Sequence, residues 1–289
     1  MTENRVRCRP IGDADLDAVA GLLASGFAHR PKTYFLDGLN RVREREAPDD
    51  LPRYGYLLEQ DGKVVGAVLL IFSQRSGIDA PRCNIASWYV EPAHRMHAAM
   101  LSAMALKHRH VTYLNVTPAP NTWPILEAQG YKRYCSGLFA SFPALCAPRG
   151  DVRLEAVNAN SPLSGDLPPE EARMLREACA TGCTSFIAHT PDGAKPFVFL
   201  PFRMRSGRVP LPAMQLAYAR SPEDFVACAA PLGRALAARG RFAVLMDANG
   251  PVAGLPGLYT EKRGRKYVKG PGEARLCDLV DTELVVFGL

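Results

Sequence analysis

The stretch most able to do chemistry is Trp88-Tyr89-Val90-Glu91-Pro92-Ala93-His94-Arg95-Met96-His97-Ala98-Ala99-Met100-Leu101. An extended apolar run ends in a proline-led turn, and small residues that suit a helix follow. The first amides of a helix lack partners and sit at the positive end of its dipole. A diphosphate can be held there by backbone donors. Arg95 adds a cation, and His97 adds a donor when protonated. Neither a Walker-type lysine loop nor a dinucleotide-binding glycine triplet is present. For proton transfer, the groups near the ends of the extended runs are Glu91, His94, His97 and Tyr131. Glu91, between Val90 and Pro92, also reads as a solvated turn residue, and the two histidines as surface residues.

Other clusters carry less. His94 with His97, and His108 with His110, lack a matching Cys or carboxylate set, so no metal is expected. The eight cysteines include no Cys-x-x-Cys pair and read as reduced, mostly buried thiols. Ser185 has no G-x-S-x-G elbow around it. Met96, Met100 and Met104 share a helical face, which suits core packing or an adaptable apolar wall. Residues 262–267, Lys-Arg-Gly-Arg-Lys-Tyr, read as a solvated turn, or else as a contact for an anionic substrate or RNA.

The elements that must position these residues follow from pattern. A short strand is predicted at Val6–Pro10. A helix follows, capped by Asp13 and carrying Leu16, Val19, Leu22, Leu23 and Phe27 at helical spacing. Pro31 breaks it, a second amphipathic helix follows, and residues 44–53 form a polar connection. Asp61-Gly62 between two apolar runs predicts a tight hairpin. The run Val64–Phe72 is apolar on both faces, as a central strand should be. A strand at Asn84–Val90 leads to a helix of about 15 residues opened by Pro92 and ending near Lys107. A strand at Val111–Val116, a short helix capped by Asn121 and ended by Gly130, and closing strands in Tyr131–Phe142 complete this half.

Residues 147–170, rich in Pro, Gly and Asn, are the expected linker. Beyond it the same order returns: a helix (Glu170–Ala180), strands at Pro196–Arg203 and Ala213–Ala219, a helix at Pro222–Arg239 and a strand at Phe242–Asp247. Pro92 and Pro222 lie 130 residues apart, as do Val116 and Met246, and Gly130-Tyr131-Lys132 is matched with Gly264-Arg265-Lys266. The expectation is an α/β (α+β) chain of two tandem domains, 1–148 and 149–289. Each is a mixed, mostly antiparallel sheet flanked by helices.

An apolar strand, Val-x-Pro-x-x-Arg and a small-residue helix start together resemble the acetyl-CoA motif of the GNAT superfamily of N-acyltransferases. The Gln60–Gly66 hairpin, the strand 111–116, Asn121 and Gln129-Gly130-Tyr131 are similar to that family's order. The resemblance covers about residues 5–142 by motif, and the rest by element order alone. It implies acetyl-CoA or another acyl-CoA as co-substrate. Tyr89 and Val90 then pair with pantetheine, Arg95, Met96, His97, Ala98, Ala99 and Met100 hold the pyrophosphate, and Asn121 is a further cofactor-binding residue. The family's glycines are Met96, Ala98 and Met100 here, and its acidic tyrosine is Leu126. Tyr131 or Tyr134 is left for that role, with Glu91 as candidate base.

The implied activity is acyl transfer, most simply of acetyl, to an amine of a small molecule or protein. The alternatives are a non-catalytic binding protein on a degenerate scaffold, and an aminoacyltransferase drawing on aminoacyl-tRNA. The 289 residues carry 35 basic and 29 acidic groups, a net +6 that suits an anionic small ligand such as a phosphorylated cofactor as well as it suits nucleic acid. Nucleic acid is not expected as a partner, nor is a membrane. The start, Met1-Thr2-Glu3-Asn4-Arg5, shows no apolar signal segment, so a cytoplasmic monomer or homodimer is expected.

Overall fold

The computed structural model describes residues 5–48, 50–75, 80–162, 165–206 and 209–288, without the side chains of 203–211. Met1–Asn4, Asp49 of the polar connection, residues 163–164 of the expected linker and the last residue of the 149–289 span lie outside the described residues.

The first half runs β1 (Arg7–Pro10), α1 (Leu16–Gly26), α2 (Lys32–Glu44), β2 (Gly55–Gln60), β3 (Lys63–Ser73), β4 (Arg82–Val90), α3 (Ala98–Ala105), β5 (Thr112–Asn115), α4 (Trp123–Ala128), β6 (Lys132–Cys135) and β7 (Gly137–Ser141). The second runs β8 (Arg153–Val157), α5 (Pro169–Ala180), β9 (Thr184–Thr190), β10 (Gly193–Ser206), β11 (Val209–Tyr218), α6 (Pro222–Ala227), α7 (Ala229–Ala237), β12 (Ala243–Ala248), β13 (Gly257–Thr260), β14 (Lys266–Lys269) and α8 (Glu283–Val286). Among the described residues these strands form two seven-stranded sheets, ordered β1-β2-β3-β4-β5-β14-β6 and β13-β7-β12-β11-β10-β9-β8. Both are mostly antiparallel. The parallel pairs are β4 with β5 and β11 with β12. The fold is therefore α/β with two helix-flanked mixed sheets.

Local chemistry explains the first sheet. Asp61 (φ 50°) and Gly62 (φ 77°) both take left-handed conformations, as a two-residue hairpin turn requires. The strand β3 is buried on both faces: Ala67, Leu69 and Ile71 pack with α1 and α2, and Val65, Val68 and Leu70 pack on the α3 side.

Each sheet takes one strand from the other half. The strand β14 lies between β5 and β6, and β7 lies between β12 and β13. Only Ser136 separates β6 from β7. There the Asn249 carboxamide accepts from the Ser136 amide (2.7 Å) and donates to the Tyr134 carbonyl (3.1 Å). Beneath the crossing, the Lys266 ammonium of β14 lies 2.8 Å from Asp247 of β12, both buried. A mixed core of Leu114, Val116, Leu175, Val198, Leu279 and Val285 continues across the two halves.

Several sequence expectations are corrected. Gly130-Tyr131-Lys132 leads into the sixth strand of its half, whereas Gly264-Arg265-Lys266 leads into the seventh, so the two are not equivalent. The 262–267 segment is not simply solvated, because Lys266 is buried and Arg265 stacks 4.1 Å over Trp123. The expected linker contains the edge strand β8, paired with β9. The single helix expected at 222–239 is two, divided at Cys228. The helix from Pro92 begins as a 3-10 helix, Pro92–His97, and becomes α-helical only at Ala98. Asp13 does not cap α1; its carboxylate accepts from the Tyr54 hydroxyl, 2.5 Å away. Asn121 lies exposed within a 3-10 turn, Pro120–Thr122, and caps nothing. Met96 is 82% exposed and Met100 is also exposed, so only Met104 joins the core.

Candidate active site

The first sheet is opened at one place. The parallel ladder between β4 and β5 holds at Arg82–Thr112, Cys83–Tyr113 and Asn84–Leu114, then stops. From Ile85 to Val90, β4 pairs with β3 on one side and has no strand on the other among the described residues. A bulge deepens the divergence: two residues, Ser87 and Trp88, stand opposite Val68, and Ser87 takes φ 44°. Such a bulge bends a strand and re-aims its side chains. Unpaired backbone donors and acceptors along 85–90 can take an extended polar ligand as a strand takes its neighbour.

The sequence-predicted residues fall along this feature in two groups. Tyr89 and Val90 are on the free stretch. Tyr89 turns toward the α1–α2 face, its ring 6.3 Å from that of Phe27, while Val90 packs on the α3 face. The Pro92–His97 turn and α3 follow directly, so Arg95, Met96, His97, Ala98, Ala99 and Met100 cluster beside the end of β4. Arg95, Met96, Ala99 and Met100 are exposed. Part of its donor set is already used: the His94 amide bonds the Glu91 carbonyl (2.8 Å), and the Ala98 amide bonds that of Arg95. Grooves flank the helix on two sides. One, of about 770 Å³, is lined by Gln60, His94, Met96, His97 and Met100; the other, of about 400 Å³, by Ala99, Ser102, Ala103, Leu106, Gln129 and Lys269.

Glu91 and Tyr131, the candidate base and acid, stand apart from the vertex of the opening. Glu91 is tied to the hairpin end, 2.8 Å from the Lys63 ammonium and 3.5 Å from His94, whose other ring nitrogen meets Gln60 at 2.6 Å. Tyr131 is buried in the α3-side core, where burial raises its phenol far above the ordinary value and keeps it protonated. Asn121 stands before α4.

Sequence reading missed a residue at the vertex itself. Glu283, the first residue of α8, reaches the point where β4 and β5 part. Its amide donates to Asn84 Oδ1 (2.8 Å), and its Oε1 accepts from the Thr117 hydroxyl (2.5 Å). Asn84 in turn donates to the Leu114 carbonyl (3.4 Å). Glu283 Oε2 is buried and has no hydrogen-bond partner among the described residues. Burial lifts this carboxyl to about 7, against the pull of Thr117, Asn84 and the more distant Lys266. Nothing local in the sequence marks Glu283, because it is nearly 200 positions from the strand it meets.

The second sheet has the same opening, and the chain fills it. The strands β11 and β12 pair only at Ala213–Ala243, Met214–Val244 and Gln215–Leu245. Beyond, the Leu279 amide donates to the Ala217 carbonyl (2.8 Å), and the Ala219 amide to that of Cys277 (3.0 Å). Tyr218 bridges Asp278 antiparallel. Asp278 is locked by Arg75, Arg82 and Arg275 at 2.8–3.0 Å, and these cations hold it below the usual carboxylate range despite burial. The helix starts differ in charge as well. The α6 start carries Glu223 and Asp224 and is capped by Ser221, where the first half has His94, Arg95 and His97.

No protein-family model matches the sequence, and neither does any curated protein. Solved structures do resemble it. The GCN5-related N-acetyltransferase from Anabaena variabilis superposes with a TM-score of 0.57 at 12% identity, covering 91% of this chain and 72% of that one. That from Kribbella flavida gives 0.55 at 16% identity, covering 91% and 70%. That from Sphaerobacter thermophilus gives 0.50 at 16% identity, covering 97% and 99%. Among the described residues no helix is long and apolar enough to cross a membrane.

Proposed function

Because the chain has the GNAT superfamily fold, we propose that it is an acyl-CoA-dependent N-acyltransferase with its working site in the first half, 1–148, and a closed counterpart in the second, 149–289. The observation that carries this reading is the asymmetry of two like openings. One, beside a cationic helix start, is free along Ile85–Val90; the other, beside an acidic start, is occupied by Cys277–Leu279. Solved structures of the same fold named N-acetyltransferases support it.

In this reading the thioester arm of acetyl-CoA lies along β4 and pairs with the backbone near Tyr89 and Val90. Its pyrophosphate meets Arg95, His97 and the remaining amides of Met96–Met100, where a helix dipole favours negative charge. Alanine and methionine in place of glycine narrow that approach but leave the amides. The amine acceptor enters from the α1–α2 face. Phe27, His29, Arg30 and Tyr34 line the turn between those helices, with Arg30 stacked 4.3 Å over Tyr34. Strand β4 holds the carbonyl carbon between the two.

A binding protein on the same scaffold is the second reading. It is favoured by the 3-10 winding of Pro92–His97, which ties up amides that a phosphate would need. Thiol release from acetyl-CoA in the presence of a panel of amines (polyamines, amino sugars and lysine peptides) separates the two. Saturable release with any amine supports the transferase. Tight acetyl-CoA binding without release across the panel supports the binding protein.

A further inference from the structure

We propose that Glu283, supplied by the second half, is the general base that takes the proton from the acceptor amine in the first half's opening. The inference rests on the transferase reading above. It departs from Glu91, which is engaged by Lys63 and His94 at the far end of the strand.

Three observations place Glu283. It sits where the β4–β5 ladder ends, bonded to Asn84 of one strand and to Thr117, just past the other. It stands on the α1–α2 face, since the neighbouring Val286 and Phe287 pack into that core and Arg41 of α2 donates to their carbonyls (3.2 and 2.9 Å). That face is opposite α3 and its phosphate-binding turn. Finally, its Oε2 is buried without a partner among the described residues. A buried, unsatisfied oxygen is costly, and at the vertex of an open sheet a reacting N–H is a group that can satisfy it. A base whose pKa lies near the working pH is also the most effective kind.

The step balances without further reactants. The amine nitrogen attacks the thioester carbonyl carbon and forms the C–N bond. Glu283 Oε2 takes the N–H proton. The C–S bond breaks, and the thiolate leaves to be protonated, giving the amide and free coenzyme A. Among the described residues the groups facing the carboxyl are few. The Thr117 hydroxyl donates to it, the Asn84 carboxamide lies beside it and accepts from the Glu283 amide, Tyr34 of α2 and Lys266 of β14 feel its charge, and Asp281 beside it is neutralised by Arg45 and Arg75.

The test compares wild type, Glu283→Gln and Thr117→Val with acetyl-CoA and the amine panel, across pH 5.5–9. The expected wild-type turnover rises with pH around a midpoint near 7. Glu283→Gln should bind acetyl-CoA as wild type does, by calorimetry, yet lose about 100-fold or more in turnover, along with that rise. Thr117→Val removes a hydrogen bond that favours the charged form, so the midpoint should move to higher pH; a merely structural threonine would not move it. A carboxyl infrared band with the same midpoint, absent from Glu283→Gln, provides a readout independent of turnover. Glu283→Gln with normal binding, normal turnover and an unchanged profile overturns the assignment alone. Wild type that binds no acetyl-CoA overturns the transferase reading and this assignment with it.

Discussion

Replacing Glu283 with glutamine changes how the fold responds to pH, whatever the protein's substrate. The carboxyl titrates near 7 in the folded chain and near 4.5 when exposed. A carboxyl pKa raised by folding means that the native state holds the proton more tightly. The stabilisation is complete below about pH 4.5 and is lost as pH rises through 7. At 1.36 kcal/mol per pH unit, the gap corresponds to about 3 kcal/mol between pH 4.5 and 8. Glutamine has no charge to gain, so the stability difference between wild type and Glu283→Gln should shift by about that amount across the window. Urea unfolding of both proteins at pH 5 and pH 8 captures about 2.5 kcal/mol of it. Other titrating groups cancel in the comparison. His108, lowered by burial, destabilises both proteins alike as pH falls, and Asp278 and Asp281 matter only in stronger acid. A difference that stays constant from pH 5 to pH 8 would refute a buried, desolvated Glu283.

The exchanged strands make further predictions. Lys266→Met strands Asp247 in the core and should cost about 3–5 kcal/mol, while Lys266→Met with Asp247→Leu should restore most of it; thermal unfolding of wild type and the two variants checks this. Gly137→Ala would set a methyl 2.2 Å from the Thr260 carbonyl across the β7–β13 pair, where backbone cannot yield easily; a loss of about 1–3 kcal/mol in urea is expected. Arg95→Glu, at an exposed position, should leave stability within about 0.5 kcal/mol. It should also weaken acetyl-CoA binding about tenfold or more, and less at high salt.

Much of the fold was legible because its signals are local. Asp61-Gly62 declared the hairpin, and the unbroken apolar run Val64–Phe72 declared a strand buried on both faces. Gly130 (φ 82°) ended the short helix of the first half as expected, and Pro92 marked where helical winding begins, though not its 3-10 form. What escaped depends on long-range pairing. No pattern within Tyr131–Phe142 says that one residue, Ser136, sends β6 and β7 into different sheets. Lys266 reads as one more surface cation until Asp247 is seen beside it. The methionines at 96, 100 and 104 have helical spacing, but the first lies on a 3-10 turn, where that spacing no longer describes one face. At the candidate site, the turn and the strand before it were visible as a motif. The vertex was not, because Glu283, Asn84 and Thr117 come from three distant parts of the chain.

The most direct test of two like openings, one free and one filled, is the stoichiometry of acetyl-CoA binding to the intact chain by calorimetry. One saturable site per chain, weakened by Arg95→Glu and untouched by Ser221→Ala at the second helix start, is the predicted result. Two sites per chain, or none, would contradict it.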